Sequence, residues 1–502
     1  MAYELAPFAS VSLDERLLRV LVSEHEARTL PRLRRLWNYY RNALAEPSSG
    51  GGSKGPPAQW VGLPSRLKSV GTTLDDDRQR REIVIENDIA WRVHTLVDFM
   101  FPAAPEIVST AATAPRRERI ESILRAVFEA SGSANLWQDA ALLGGVYGYV
   151  DVLVDPSGLE GVVRRRDRVD ADLATRIGAA MRLEIVEPPR AIPLVSRDDY
   201  RRLDAYIIHY RRPDHQVTSA GSGVLARMAR VLQSGAAGGP RRGTVLVTEI
   251  HSATHMQRYE DERLVLARPN RLGVLPIVHV QNLSQPLEYA GLSDVEPLIP
   301  LQDELNTRLS DRANRVTLQS FRMWLGKGIE QFDARPVGPG QMWVTDNLDA
   351  SIEGFGGDAD SPSERRHIEE LREALDKASG VTPAAAGHIR ARVGNLTSEN
   401  ALRISLMGTI AKIKRKRITY GGGIRRLCRA ILEALDGYGV FTTASSEREV
   451  EIVWSDPLPV DESRRLADAV IKAQLGVPGA VLRSELGYGD APGSSDMTGA
   501  AG

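Results

Sequence analysis

His251 and His255 stand four residues apart, a spacing that on a helix would turn two imidazoles toward one metal ion. The flanking VLVTEIHSATHMQRY reads instead as strand and turn, and no cysteine or acidic cluster completes a ligand set. Two exposed or half-buried histidines are therefore expected, with no metal site. Glu184 and Glu187 could form an acid/base pair, but in EIVEPP their odd spacing puts them on opposite faces of a strand. Cys428 shares an apolar helix side with Ile424, Leu427 and Ile431, which predicts a small core residue and no nucleophile. Walker A, dinucleotide-binding, His-Glu-x-x-His and Gly-x-Ser-x-Gly patterns are all missing, so the sequence offers no catalytic residues and no cofactor motif. The strongest chemical feature is basic. KIKRKR spans 412–417, and between Ala401 and Ala430 there are nine Lys or Arg and no acid. Lys412, Lys414, Arg415, Lys416 and Arg417 can form a solvated helix face, meet an acidic neighbouring subunit, or touch nucleic acid. Ile410, Ile413 and Ile418 indicate that this helix also packs, so its cations are expected to be displayed on an ordered surface.

These residues must be held by a large chain of ordinary globular composition. It has 502 residues, 42% hydrophobic and 26% charged, enough for about three domains or one elaborate one. Lys+Arg total 64 and Asp+Glu 65, so no overall basic excess marks a nucleic-acid or anionic-membrane binder; any such contact must be local. A single cysteine excludes an intramolecular disulfide framework. The first residues carry acids and lack the apolar core of a secretory signal, and no apolar run is long enough to span a bilayer.

Helices are predicted over 12–42, with a break at Pro31, over 81–101, and twice within 116–143. GGVYGYVDVLVDP opens a strand, and 181–290 contains several more. Gly-rich stretches at 46–59 and 217–243 read as long loops. A helix from Leu292 to about Leu325 follows, with Ser293 and Glu296 as a capping pair and Pro300 delaying its regular start. At about 1.5 Å per residue it would reach roughly 45 Å. A turn-rich insert contains one strand, QMWVTD, before a second helix at 363–379. A loop with His388, Arg390 and Arg392 then leads into a helix from near Thr397 to about Leu435, with a kink expected at Gly421 to Gly423. Strand EVEIVWSD, helix ESRRLADAVIKAQLG and a disordered tail complete the chain. Two helices flanking a small insert make a tall hairpin whose charged stripes exceed what a monomer core needs, and head-to-tail packing of such rods can close into a ring.

In this order the chain resembles the portal, or head-to-tail connector, proteins of tailed bacteriophages. The matching stretches are ENDIAWRVHTLVDFMF, LGVLPIVHVQN, GLSDVEPLIPLQDELNTRLSDRANRV, NLTSENALRISLMGTIAKIKRKR and WSDPLPVDESRRLADAVIKAQLGV. The most specific is the Ser-Asp-x-Glu-Pro-Leu-Ile opening with Asn306 and Ser310-Asp311 downstream. The resemblance implies a helix-rich α+β portal-type fold. Residues 1–290 would form the N-terminal part of the wing, 291–324 the first stem helix, 325–362 the clip and 363–380 the second stem helix. Residues 381–396 would be the tunnel loop, 397–448 the long wing helix and its connection, 449–490 the crown and 491–502 a disordered tail. It also implies a homo-oligomeric ring, typically a dodecamer, at one capsid vertex of the virion, assembled in the host cytoplasm. Double-stranded DNA would pass through it. The large terminase subunit, a head-tail adaptor, and the major capsid and scaffolding proteins would be its partners, with no membrane, no cofactor and no enzymatic step.

Within that resemblance His388, Arg390 and Arg392 would sit on the tunnel loop. They would touch DNA phosphate transiently, or the arginines would pair with Glu399 or a neighbour's acids. Another structural head protein, such as an adaptor or minor capsid protein, is the alternative; a packaging ATPase is disfavoured by the missing Walker A.

Overall fold

The computed structural model describes residues 3–42, 84–163, 173–199, 202–217, 242–320, 323–327, 349–355, 362–386, 404–457 and 462–486. Its helices are α1 (Glu15–Glu24), α2 (Leu30–Arg41), α3 (Asp88–Met100), α4 (Ala114–Ala130), α5 (Ala134–Tyr147), α6 (Leu159–Val163), α7 (Leu173–Ala180), α8 (Ile299–Ser320), α9 (Pro362–Ser379), α10 (Met407–Gly437), α11 (Glu462–Gln474) and α12 (Gly479–Glu485). Its strands are β1 (Glu106–Ser109), β2 (Tyr149–Asp155), β3 (Arg182–Val186), β4 (Ala191–Val195), β5 (Leu203–Val217), β6 (Arg242–Ser252), β7 (His255–Glu260), β8 (Arg263–Pro269), β9 (Ile277–Gln281), β10 (Met323–Lys327), β11 (Ser351–Phe355) and β12 (Val450–Val453). The fold is α+β, as expected. None of the described helices is long and apolar enough to cross a membrane.

Local signals fix the ends of several elements. The Asp14 side chain accepts from the Leu17 N–H at 2.7 Å and starts α1. Asn87 does the same for α3, accepting from the Ala90 N–H at 3.1 Å. At the end of α5, Gly148 takes φ +94, and its amide caps the Gly144 carbonyl. A Cβ there would lie 2.3 Å from the Gly291 carbonyl oxygen, so only glycine lets β2 leave this close to the 291–294 turn.

Among the described residues every strand pairing is antiparallel. Five strands run in the order β4-β5-β6-β7-β8, and three in the order β3-β2-β9. β1 pairs with β12, Glu106 opposite Val453, so the region expected to open the crown is tied back to the N-terminal half. The largest core surrounds α10. Its Ile413, Ile424, Leu427, Cys428 and Ile431 pack with Leu96 and Met100 of α3, Leu124 of α4, Val152 of β2 and Val280 of β9. A second core joins Leu33 and Leu36 of α2 to Val93, Leu298, Leu305, Ile368, Leu371 and Leu375. A third seats Phe8, Leu13 and Leu18 on the five-stranded sheet.

The helical hairpin is present, with altered details. α8 and α9 run antiparallel. Arg315, late in α8, pairs with Glu364 at the start of α9, and Glu304 lies 3.9 Å from His367. A 3-10 turn at Glu296–Leu298 precedes α8, which is the delay that Pro300 predicts. The capping pair is only half formed. Ser293 Oγ accepts from the Val295 and Glu296 amides at 3.0 and 3.3 Å, but the Glu296 carboxylate turns to Arg32 at 2.6 Å. α8 also ends at Ser320, short of the expected Leu325, because Met323–Lys327 forms β10 and pairs with β11. The expected strand QMWVTD, the loops 46–59 and 217–243 (save Val217, Arg242 and Gly243), and the tail 491–502 lie outside the described residues.

Near Pro31 the chain does not stop. A π turn at His25–Thr29 leads into α2, whose first turn accommodates the proline. Through Gly421 to Gly423 α10 is one helix. Gly423 instead admits a neighbour: a Cβ there would meet Val280 Cγ2 at 2.4 Å.

Candidate functional site

Among the described residues no three or more His, Cys, Asp or Glu side chains form a metal-holding group. His251 is the penultimate residue of β6 and His255 begins β7, the strand-and-turn context the sequence predicts. His251 is buried, not exposed or half-buried, with Nε2 3.7 Å from Glu249, because its side chain falls on the covered face of the sheet. Glu184 and Glu187 pair separately with Arg182 and Arg190, each at 3.0 Å. Cys428 is fully buried, and burial pushes its thiol up, away from nucleophilic use.

The chemically loaded place is the base of the hairpin, where the chain enters α8, leaves α9 and crosses α10. Asp294 lies at its centre, its side chain 2% exposed. Lys412 Nζ is 2.8 Å from its Oδ1, and Lys416 Nζ pairs with its Oδ2. Asn282 Nδ2 donates to Oδ2 at 3.0 Å, and the Asp294 backbone amide donates to the Gly145 carbonyl at 2.8 Å. Lys412 also donates to the Ser379 carbonyl at 2.7 Å, so its cation sits on the C-terminal, negative end of α9. Thr409 adds a 2.9 Å bond to the Gly380 carbonyl. Burial alone would raise the Asp294 pKa, but Lys416 and Lys412 outweigh it and hold the carboxyl at about 2. Burial lowers Lys416, partly offset by Asp294. Two cations face one carboxylate, and both ends of the hairpin are thereby fastened to α10.

A second polar seam braces the hairpin. Gln302, Asn306 and Ser310 recur every four residues on α8 and are buried. They line up along the irregular segment 84–87 and the first residue of α3 and accept their amides: Asp88 to Gln302 at 3.2 Å, Glu86 to Asn306 at 3.0 Å, Val84 to Ser310 at 3.0 Å. Gln302 Nε2 returns a bond to the Glu86 carbonyl at 2.7 Å. An irregular segment beside a helix must satisfy its backbone groups somewhere, and these three side chains do so. Arg92 of α3 bridges Asp376 of α9 at 2.6 Å and Asp88 at 3.4 Å.

Of the basic residues singled out in the sequence, Lys412 and Lys416 are not displayed. Four residues apart, they share the inward face of α10 with Thr409 and Tyr420. The expectation of an outward basic run is corrected for these two. Lys414 and Arg415 are exposed. Arg417 is half-buried, donating to the Ser455 carbonyl at 2.8 Å with its guanidinium 5.1 Å from the Trp454 ring centre. His388, Arg390 and Arg392 lie outside the described residues. Sequence reasoning missed Asp294 and the Gln302–Asn306–Ser310 seam as a site. The available signals were the four-residue spacing of those polar residues within an amphipathic helix and the matching spacing of Lys412 and Lys416.

A family model described as "Phage portal protein, SPP1 Gp6-like" matches residues 21–487. Among solved structures, a chain from the "Neck of empty GTA particle computed with C6 symmetry" aligns at 14% identity and a TM-score of 0.44, covering 80% of this chain and 90% of that one. A chain from the "Virion of native gene transfer agent (GTA) particle" aligns at 14% identity and a TM-score of 0.40, covering 79% and 88%. No curated protein matches the chain.

Proposed function

The chain belongs to the SPP1 Gp6-like phage portal protein family, and from that premise we propose that copies of it form a ring at one capsid vertex through which double-stranded DNA is packaged and later ejected. The family is structural, not enzymatic. The observation that carries the reading is the extent of the match, 21–487, which takes in the hairpin, its clasp to α10 and the late helices together. The match is to portal proteins, not to adaptors or minor head proteins.

On this reading α8 and α9 form the stem, β10 and β11 belong to a clip, and the segment between α9 and α10 projects toward the channel. The clip docks the large terminase subunit during packaging and the head-tail adaptor afterwards; the major capsid and scaffolding proteins are its other partners. A channel must pass DNA without gripping it, because each neutralised phosphate adds affinity in every subunit. A net charge of −1 suits a conduit of that kind. His388, Arg390 and Arg392 supply the few cations that meet phosphate. Electron microscopy of the purified full chain tests the ring: a closed ring with a central hole is expected, and a monomer at micromolar concentration sinks the proposal. Arg390→Ala with Arg392→Ala should reduce DNA retention in particles; retention equal to the parent removes those residues from the channel. Deleting residues 341–346 should leave rings but stop motor-driven packaging.

A further inference from the structure

α10 has two faces of different character. Lys412 and Lys416 point inward to Asp294 and the end of the chain's own α9. The opposite face carries Met407, Lys414, Arg415 and Ile418, which the helical period aligns in one stripe. Met407 is 68% and Ile418 72% exposed. Ile404, just before the helix, is 71% exposed and extends the stripe. Lys414 and Arg415 have no carboxylate partner among the described residues. Large apolar side chains and unpaired cations held together on a rigid helix mark a contact surface.

The complementary chemistry lies on the outer face of α9. Glu369, Glu370 and Glu373 are exposed and lie within one turn of each other. Among the described residues their only ion contact is Glu370 with His367 at 4.0 Å. Small Ala374 and Ala378 flank them, leaving room for a bulky partner side chain. Because α9 is bound through its C-terminal end to the inward face of α10, its acids cannot meet the outward stripe of the same chain. They can meet that of another copy. A ring is built by such heterologous contacts, in which one patch of a subunit meets a different patch of the next.

We propose that in the ring the Met407–Lys414–Arg415–Ile418 stripe of one copy docks on the Glu369–Glu370–Glu373 face of α9 in the adjacent copy. This rests on the ring reading above and names the surfaces that make it. The inner lysines fasten α9 within the chain, while the outer cations fasten it between chains. Each hairpin is thus clasped from both sides.

The test is charge exchange in the full-length protein, read by mass photometry over a dilution series, with circular dichroism as the folding control. Lys414→Glu with Arg415→Glu, and separately Glu369→Lys with Glu370→Lys and Glu373→Lys, should each raise the concentration needed for half-assembly by about tenfold or more. Combining the two sets should recover at least half of that loss, because opposite charges again face each other. Rings from either single set at parental concentration overturn the inference and leave the portal reading intact. Folded single sets that fail to assemble and are not rescued in combination overturn the α9 pairing. Intact rings that lose binding to a short duplex DNA assign the stripe to nucleic acid, which also overturns it. A parent that forms no ring at all removes the portal reading itself.

Discussion

Replacing Asp294 by Ala tests whether the hairpin base is an electrostatic clasp. Lys412 Nζ is 2.8 Å from Asp294 Oδ1. At an effective dielectric of about 20 that attraction alone is roughly 6 kcal/mol before desolvation is subtracted. The net value is smaller. The drop in the Asp294 pKa from its ordinary 3.8 to about 2 is worth on the order of 2 kcal/mol at neutral pH. Substitution also strands Lys412 and Lys416, with side chains 10% and 3% exposed, and removing one partner of a buried pair costs about 3–5 kcal/mol. Asp294→Ala should therefore destabilise the chain by about 3–5 kcal/mol in denaturant unfolding under conditions that keep it monomeric. Hydrogen exchange should quicken at the end of α9 and the start of α8, the two places the clasp holds. Asp294→Ala with Lys416→Met should recover part of the loss, because one stranded cation is gone. A loss below about 1 kcal/mol, or no recovery in the double variant, would refute the clasp.

Acid should act on the same group. Its folded pKa is depressed to about 2, so its contribution is present above the unfolded value near 3.8 and fades as pH falls from about 4 toward 2, and Asp294→Asn should flatten that part of the stability–pH curve. Gly423→Ala, which on a free helix surface would stabilise by up to about 1 kcal/mol, should instead destabilise by about 1–3 kcal/mol because its methyl would overlap Val280. Val280→Ala in the same chain should relieve the clash, and the pair of melting curves decides it. Asn306→Ala should leave the Glu86 amide unsatisfied, at about 1–3 kcal/mol, with faster exchange confined to 84–88. Loss of protection across the whole of α8 would mean that the seam does more than brace one segment.

Helical periodicity made much of the fold legible. α3, α9 and the apolar side of α10 follow from leucine and isoleucine spacing, because burying one face of a helix is a local pattern with a local period. Cys428 was placed correctly for that reason. The short strands β1, β10 and β11 were missed, since four or five residues without clear alternation carry little signal until a partner strand arrives from elsewhere in the chain. The glycines of α10 were misjudged because propensity marks them as weak points. Their use depends on Val280, which lies more than a hundred residues away in the sequence.

By itself the sequence determined the order of elements, the absence of a recognisable catalytic motif, the concentration of cations in one helix and the resemblance to portal proteins. It could not say which cations face inward. In KIKRKR five of the six side chains are cations that favour water, and composition therefore predicted display. The tertiary structure divided the run. Asp294 and the carbonyl end of α9 meet only one side of α10, so charge compensation draws Lys412 and Lys416 inside while Lys414 and Arg415 remain outside. A buried charge is tolerable only where opposite charge is already in place, and that placement is a property of the packed chain, not of any one segment.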